Sequence, residues 1–183
     1  MKKIIGILVL ASVALSLNAQ RYFTRDGKVQ FSSEAPLEKI EAVNNKASSV
    51  FDLATGDVEF AVLIRSFHFD KALMEEHFNE NYLESTKYPK ATFKGKVTNL
   101  GELNLSQSGK YAAHVKGDLT MHGVTRPIEV TGTLVTGSDV IHATATFEIA
   151  VADYNIEIPK VVRDNIAKTV QILVDIDYKP LAQ

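Results

Sequence analysis

The sequence contains no cysteine, no tryptophan and only five prolines in 183 residues. Without thiols, disulfides, thiol nucleophiles and cysteine-ligated metal sites are excluded. A fold lacking disulfide staples must rely on its hydrophobic core, and a chain of this length can bury a sizeable one. An excess of charge of one sign is also missing. Twenty basic residues stand against 22 acidic ones, and no block of like charge occurs. The overall balance argues against nucleic acid and anionic membrane surfaces as partners. Helical repeats and any alternation of strand with helix are lacking as well, which excludes parallel α/β architectures.

What is present begins with a leader-like segment. Lys2 and Lys3 precede an apolar-to-small run from Ile4 to Leu17, and Ala19 follows as a small residue. That is the layout of a secretory signal, and the run is short for a membrane span. We therefore expect a signal peptide over residues 1–19 and one mature domain over residues 20–183, periplasmic or otherwise exported, with no stable membrane insertion after cleavage. Without Lys2 and Lys3 the mature chain has 18 basic against 22 acidic residues, a net charge of −4.

From residue 50 onward apolar and polar residues alternate. Val58, Phe60, Val62 and Ile64 share one parity, as do Ala91, Phe93, Gly95 and Val97. The pattern returns in Tyr111, Ala113, Val115, Gly117, Leu119 and Met121, and again in Ile141, Ala143, Ala145, Phe147, Ile149 and Val151. Val170, Ile172, Val174, Ile176 and Tyr178 close the chain in the same way. A period of two on this scale means antiparallel strands with one face buried and one wet. His122-Gly123, between Met121 and Val124, reads as a two-residue hairpin turn, because glycine supplies a positive φ. It would carry Ile128, Val130, Gly132 and Leu134 onto the same inward face.

One helix interrupts the strands. Asp70 is a plausible N-cap, and Met74, Phe78 and Tyr82 recur four residues apart as an apolar stripe. It should end before Tyr88-Pro89. The expected architecture is all-β: a closed antiparallel barrel of about eight strands with one amphipathic helix across an opening, closure removing exposed sheet edges. Residues 20–48 are less legible, with short strand-like pieces broken by Ser33 to Pro36.

Two blocks carry a family resemblance. His77-Phe78-Asn79-Glu80-Asn81-Tyr82-Leu83-Glu84-Ser85, followed by Tyr88-Pro89 and Phe93, resembles the motifs of YceI-like proteins. Gly117-Asp118-Leu119-Thr120-Met121-His122-Gly123-Val124-Thr125-Arg126-Pro127 does so more specifically, and the resemblance covers roughly residues 50 to 180. It implies a lipocalin-like barrel, usually periplasmic, that holds a polyisoprenoid or similar amphiphile, is associated with stress responses and is not catalytic. The long N-terminal strand pair of that family looks shortened or rewritten before residue 50.

Side-chain size gives an independent reason to expect a hollow interior. Ala91, Gly95, Ala113, Gly117, Gly132, Ala143 and Ala145 fall on inward positions that a solidly filled small barrel would give to Leu, Ile or Val. Either a tunnel remains or neighbouring rings fill the space. The candidate ligand-contacting residues are Phe60, Val62, Phe67, Phe78, Tyr82, Phe93, Val97, Val115, Leu119, Met121, Ala143, Phe147 and Ile149. His77, Arg126 and Arg163 are candidates for contact with a ligand head group. No histidine pair has helical ligand spacing, and no carboxylate or serine has an evident catalytic partner. His114, His122 and His142 read as solvated surface residues. We expect no metal, no catalytic residue and no cofactor beyond a bound lipid or isoprenoid. An apolar amphiphile (polyisoprenoid, quinone-like or fatty acyl) is the expected partner, and the oligomeric state is open, a homodimer included. Two rival readings stand: an envelope-stress or interaction module with a filled barrel, and an accessory that presents a lipid to an enzyme.

Overall fold

In the computed structural model, residues 21–137 and 139–181 are described, and the expected signal peptide lies outside the described residues. Alternating residues build nine antiparallel strands. They are β1 (Arg21–Glu34), β2 (Lys39–Asp52), β3 (Asp57–Leu63), β4 (His68–Phe69), β5 (Lys90–Val97), β6 (Gly109–Met121), β7 (Val124–Thr136), β8 (Ile141–Ala150) and β9 (Thr169–Pro180). Eight of them pair in the order β1-β9-β8-β7-β6-β5-β3-β2, and β1 pairs with β2 to close the barrel. The two-residue β4 adds to the outer part of β2. Every connection in the barrel joins neighbours, so the topology is up-and-down and leaves no long open edge.

The N-terminal strand pair corrects the sequence reading. β1 and β2 run 14 residues each and are the longest strands, not shortened ones. Their period was hidden by polar residues on both parities (Ser32, Ser33, Asn44, Asn45) and by register shifts around Gly27. A Cβ at Gly27 would lie 2.2 Å from the terminal methyl of the fully buried Ile176, so any larger residue there would have to displace that side chain. Asn44 is fully buried yet satisfied: its side chain donates to the Leu63 carbonyl at 2.8 Å and accepts from the Lys46 N–H at 2.8 Å.

The β6–β7 hairpin turns on His122 (φ +50°) and Gly123 (φ +75°), with Met121 directly opposite Val124. Both turn residues are left-handed, the geometry that matches strand twist in a two-residue loop. The helix, α1 (Ala72–His77), continues as a π turn over Phe78–Tyr82. Asp70 is not its cap. Lys71 occupies that position, without a side-chain cap bond, and the Glu75 carboxylate instead reaches back to the Phe69 N–H. The buried core falls into three clusters. One, around Tyr22, Phe51, Ile176 and Tyr178, forms the end of the barrel away from the helix; the other two lie toward the helix, around Tyr154 and Ile156 and around Ala47 and Phe67.

Candidate ligand-binding cavity

Inside the barrel is a cavity of about 460 Å3, lined almost wholly by carbon. Its floor is made by Phe51, Val58, Val97, Leu134 and Tyr178. The Tyr178 hydroxyl is not free to meet a ligand. Ser49 Oγ donates to the Glu59 carbonyl at 2.8 Å, so the Tyr178 hydroxyl, 2.6 Å away, donates to Ser49. Burial pushes the Tyr178 phenol far above its ordinary range, which keeps it neutral.

The middle wall explains why a hollow remains. Phe60, Phe93, Leu119, Met121, Ile128 and Val130 face inward, yet all are only half-buried. In a filled barrel such residues would cover one another. Ala91, Ala113, Ala143 and Ala145 all border the cavity, so their small side chains leave space that nothing else occupies. At Gly132, which also borders it, a Cβ would instead meet the Thr144 carbonyl at 2.9 Å. Gly95 and Gly117 behave differently. They pair directly across β5 and β6, and a Cβ on either would lie under 3 Å from the ring of Phe93. There a ring fills the gap, and the cavity is correspondingly narrowed.

The helix and its π turn lie at one end as a lid. Met74, His77, Phe78, Tyr82 and Leu83 line the cavity from this segment. Phe78 stacks on Phe31 with ring centres 5.4 Å apart, and packs against Phe67 at 5.6 Å and Phe69 at 5.0 Å. Burial raises the Tyr82 phenol as well. At the same end, beside the lid, Ile156, Ile158, Val162 and Ile166 complete the wall from the segment between β8 and β9.

Glu38 is the single carboxylate among the described lining residues, and no lysine or arginine lines the cavity. It sits in the β1–β2 turn and accepts from Lys71 at 2.9 Å and from Asn165 at 3.3 Å, joining the hairpin, the lid and the C-terminal segment. The Lys71 and Asn165 hydrogen bonds hold its carboxyl below the ordinary range.

A second tie holds the other side of the lid. His122 is a correction to the sequence reading, since its ring is nearly buried rather than solvated. Its Nδ1 lies 3.0 Å from the Tyr154 carbonyl and its Nε2 lies 2.8 Å from Glu84. Tyr88 packs edge-on against the ring at 4.7 Å. Arg65, just before the lid, bonds the Ser85 and Thr86 hydroxyls just after it.

Every candidate ligand-contacting residue, from Phe60 and Val62 through Phe67, Phe78, Tyr82, Phe93, Val97, Val115, Leu119 and Met121 to Ala143, Phe147 and Ile149, borders this cavity. Of the head-group candidates, His77 does so, exposed on its outer side. Arg126 and Arg163 lie outside the lining. Arg126 Nε donates to the Asp153 carbonyl at 3.1 Å, and Arg163 is exposed on the C-terminal segment. Sequence reasoning missed Val29, Phe31, Glu38, Ile40 and the residues of 156–166. Alternation of Val29 and Phe31 within β1 was the available signal; the irregular segment offered none. His114 and His142 are exposed or half-exposed, with His142 2.8 Å from Asp177. Among the described residues no three His, Asp or Glu side chains converge to hold a metal ion. No helix among them is long and apolar enough to cross a membrane.

A closed up-and-down barrel of eight antiparallel strands around an apolar cavity, with a short helix over one end, defines a lipocalin-like protein. The chain belongs to the YceI-like domain family, whose model matches residues 15–178. A UPF0312 protein of Pseudomonas fluorescens is 29% identical over 111 residues, 60% of this chain. That match spans 46% of the relative's length. Among solved structures, a polyisoprenoid-binding domain from Saccharophagus degradans, implicated in plant cell wall breakdown, superposes with a TM-score of 0.78 at 17% identity. It covers 89% of this chain and 99% of that one. Burkholderia cenocepacia BcnA follows with a TM-score of 0.69 at 20% identity, covering 82% and 95%. At these identities the likeness is one of fold.

Proposed function

We propose that the protein binds and carries a water-insoluble, chain-like amphiphile without chemically changing it. The observation that carries this reading is the 460 Å3 apolar cavity, within the range of small-molecule sites, in a wall whose inward side chains are half-buried. Phe60, Val62, Phe67, Phe78, Tyr82, Phe93, Val97, Val115, Leu119, Met121, Ala143, Phe147 and Ile149 would contact the chain. A polyisoprenoid, quinone-like or fatty acyl tail suits this lining, and the Saccharophagus domain's description as polyisoprenoid-binding supports the first. Burying a methylene is worth about 0.8 kcal/mol against water, but such a tail comes from a membrane of similar apolarity, so the net affinity is modest and exchange is practicable. The lining supports a non-catalytic role: among the described lining residues its one carboxylate is already engaged by Lys71 and Asn165, and no hydroxyl is hydrogen-bonded to a base. The leader-like residues 1–19 support an exported, periplasmic location.

Native mass spectrometry of protein isolated from its own compartment, with lipid extraction, tests the reading. A co-purifying amphiphile released on unfolding is the expected result. Protein that carries no amphiphile, and takes none up from mixed micelles of prenol, quinone or fatty acid, would overturn it. The filled-barrel alternative has local support only where Phe93 covers Gly95 and Gly117.

A further inference from the structure

Three large apolar side chains at the lid end face solvent from three different segments. Val161 is 90% exposed, Leu37 72% and Leu73 60%. Beneath them the segments are tied together: the Leu37 N–H donates to the Asp164 carbonyl at 3.1 Å, and Glu38 accepts from both Lys71 and Asn165. Their chain neighbours Glu38, Val162 and Met74 line the cavity. The exposed tips therefore ring its mouth. Single exposed apolar residues are ordinary, but three gathered on the rim of an apolar opening mark a contact surface.

Charge indicates the occupant. Val161 stands between Lys160 and Arg163, both exposed, and Lys168 follows on the same segment with Asp164 as the one acid from 159 to 168. The other two rim segments carry mixed charge: Glu34, Glu38 and Lys39 around Leu37, and Asp70, Lys71, Glu75 and Glu76 around Leu73. Glu157 precedes the tip, so the cationic contact is confined to Lys160, Arg163 and Lys168. An apolar tip flanked by long cationic side chains suits a bilayer interface, where the tip enters the acyl boundary and the cations reach phosphate groups. The net charge of −4 on the mature chain does not prevent this, because Lys160, Arg163 and Lys168 stand on the tip itself with Asp164 as the one acid among them. A second copy of the chain on the same rim would instead cap the mouth and block ligand traffic.

We propose that the lid end is a peripheral bilayer-docking face, entered by the Lys160-Val161-Val162-Arg163 tip together with Leu37 and Leu73, through which the apolar ligand passes between membrane and cavity. This rests on the carrier reading above. The test uses the chain from residue 20 onward, which contains every strand of the barrel, with phosphatidylcholine vesicles containing roughly one third phosphatidylglycerol. Flotation should show vesicle binding. The combined Leu37→Ser, Leu73→Ser and Val161→Ser variant should lower partitioning at least about tenfold. Lys160→Gln with Arg163→Gln should lower it only on the anionic vesicles. Val135→Ser with Val140→Ser, at the far end of the barrel, should leave it unchanged. Uptake of the fluorescent apolar probe N-phenylnaphthylamine from solution should be the same in all variants.

Undiminished flotation of the rim variant, or an equal loss in the far-end variant, would overturn the proposal. So would a wild-type dimer that ignores vesicles and is split by the rim substitutions, because the rim would then join copies. Rim-dependent flotation without probe uptake would defeat the carrier reading and leave the docking face standing.

Discussion

His122 Nε2 lies 2.8 Å from a carboxylate oxygen of Glu84, a residue 38 positions earlier that holds a left-handed backbone at φ +43°. With the Tyr154 carbonyl on its other nitrogen, this one ring fastens the β6–β7 turn, the exit of the lid and the segment after β8. His122→Ala removes both hydrogen bonds and the Tyr88 contact, leaving Glu84 in a strained conformation without its partner. It should lower stability by about 2 kcal/mol, read from urea unfolding. Glu84→Gly and Glu84→Ala both give up the His122 bond, but only glycine relieves the left-handed backbone, so Glu84→Gly should cost less than Glu84→Ala. Equal losses would show that the backbone of Glu84 stores no strain.

The role of His122 shows where sequence reasoning stopped. Strand alternation exposed the inward face from Val58 to Tyr178, because each inward residue is flanked on both sides by outward, wet ones, and the left-handed pair His122-Gly123 was readable as a turn. Its ring partners were not, since Glu84 and Tyr154 approach only once the barrel closes. Much the same holds for the mouth. Glu38 looked like any turn residue, and residues 156–166 show no period because their apolar side chains drop into the cavity from an irregular backbone. Arg126 stands opposite the inward-facing Leu119, but its position at the rim lets it turn to the Asp153 carbonyl instead of the cavity.

Filling the hollow should separate binding from folding. Ala143 borders the cavity just above its floor, as the third residue of β8, opposite Leu134 and Ile176. A phenylalanine there would project into unoccupied space rather than displace packed atoms, so overpacking costs should be small, under about 1 kcal/mol. Ala143→Phe should therefore keep its thermal midpoint and lose at least about tenfold in affinity for a soluble apolar probe. A variant that binds the probe unchanged would place the binding site elsewhere.

Acid should loosen the floor of the barrel. Burial pushes the Asp52 carboxyl up, but hydrogen bonds from Arg21, at 3.1 Å, and from the Ala54 and Thr55 N–H groups outweigh it and hold the group below its ordinary range. A carboxyl depressed by folding contributes its full stabilisation above the unfolded range, near pH 4, and loses it as pH falls further. Unfolding free energy should thus drop between about pH 4 and pH 2 in the wild type. Asp52→Asn should be less stable at neutral pH and show a flatter decline over that interval. A decline as steep as the wild type's would assign the acid sensitivity to other carboxylates.

Phe78 is where the lid meets the barrel, its ring touching Phe31, Phe67 and Phe69 at once. Ring pairs of this kind add about 0.5–1.5 kcal/mol each beyond the area they bury. Phe78→Ala should cost about 2 kcal/mol in global stability, the ring being only partly buried. Its larger effect should fall on the lid, since Phe78 is the residue of this segment that packs against three barrel-side rings. If ligand enters and leaves beneath the helix, stopped-flow release of a bound fluorescent fatty acid should accelerate by at least about tenfold in Phe78→Ala. Phe78→Leu, which restores apolar volume without the ring contacts, should fall between that variant and the wild type. Release rates unchanged by either substitution would mean that ligand does not leave past Phe78, and that the short helix is a fixed part of the wall.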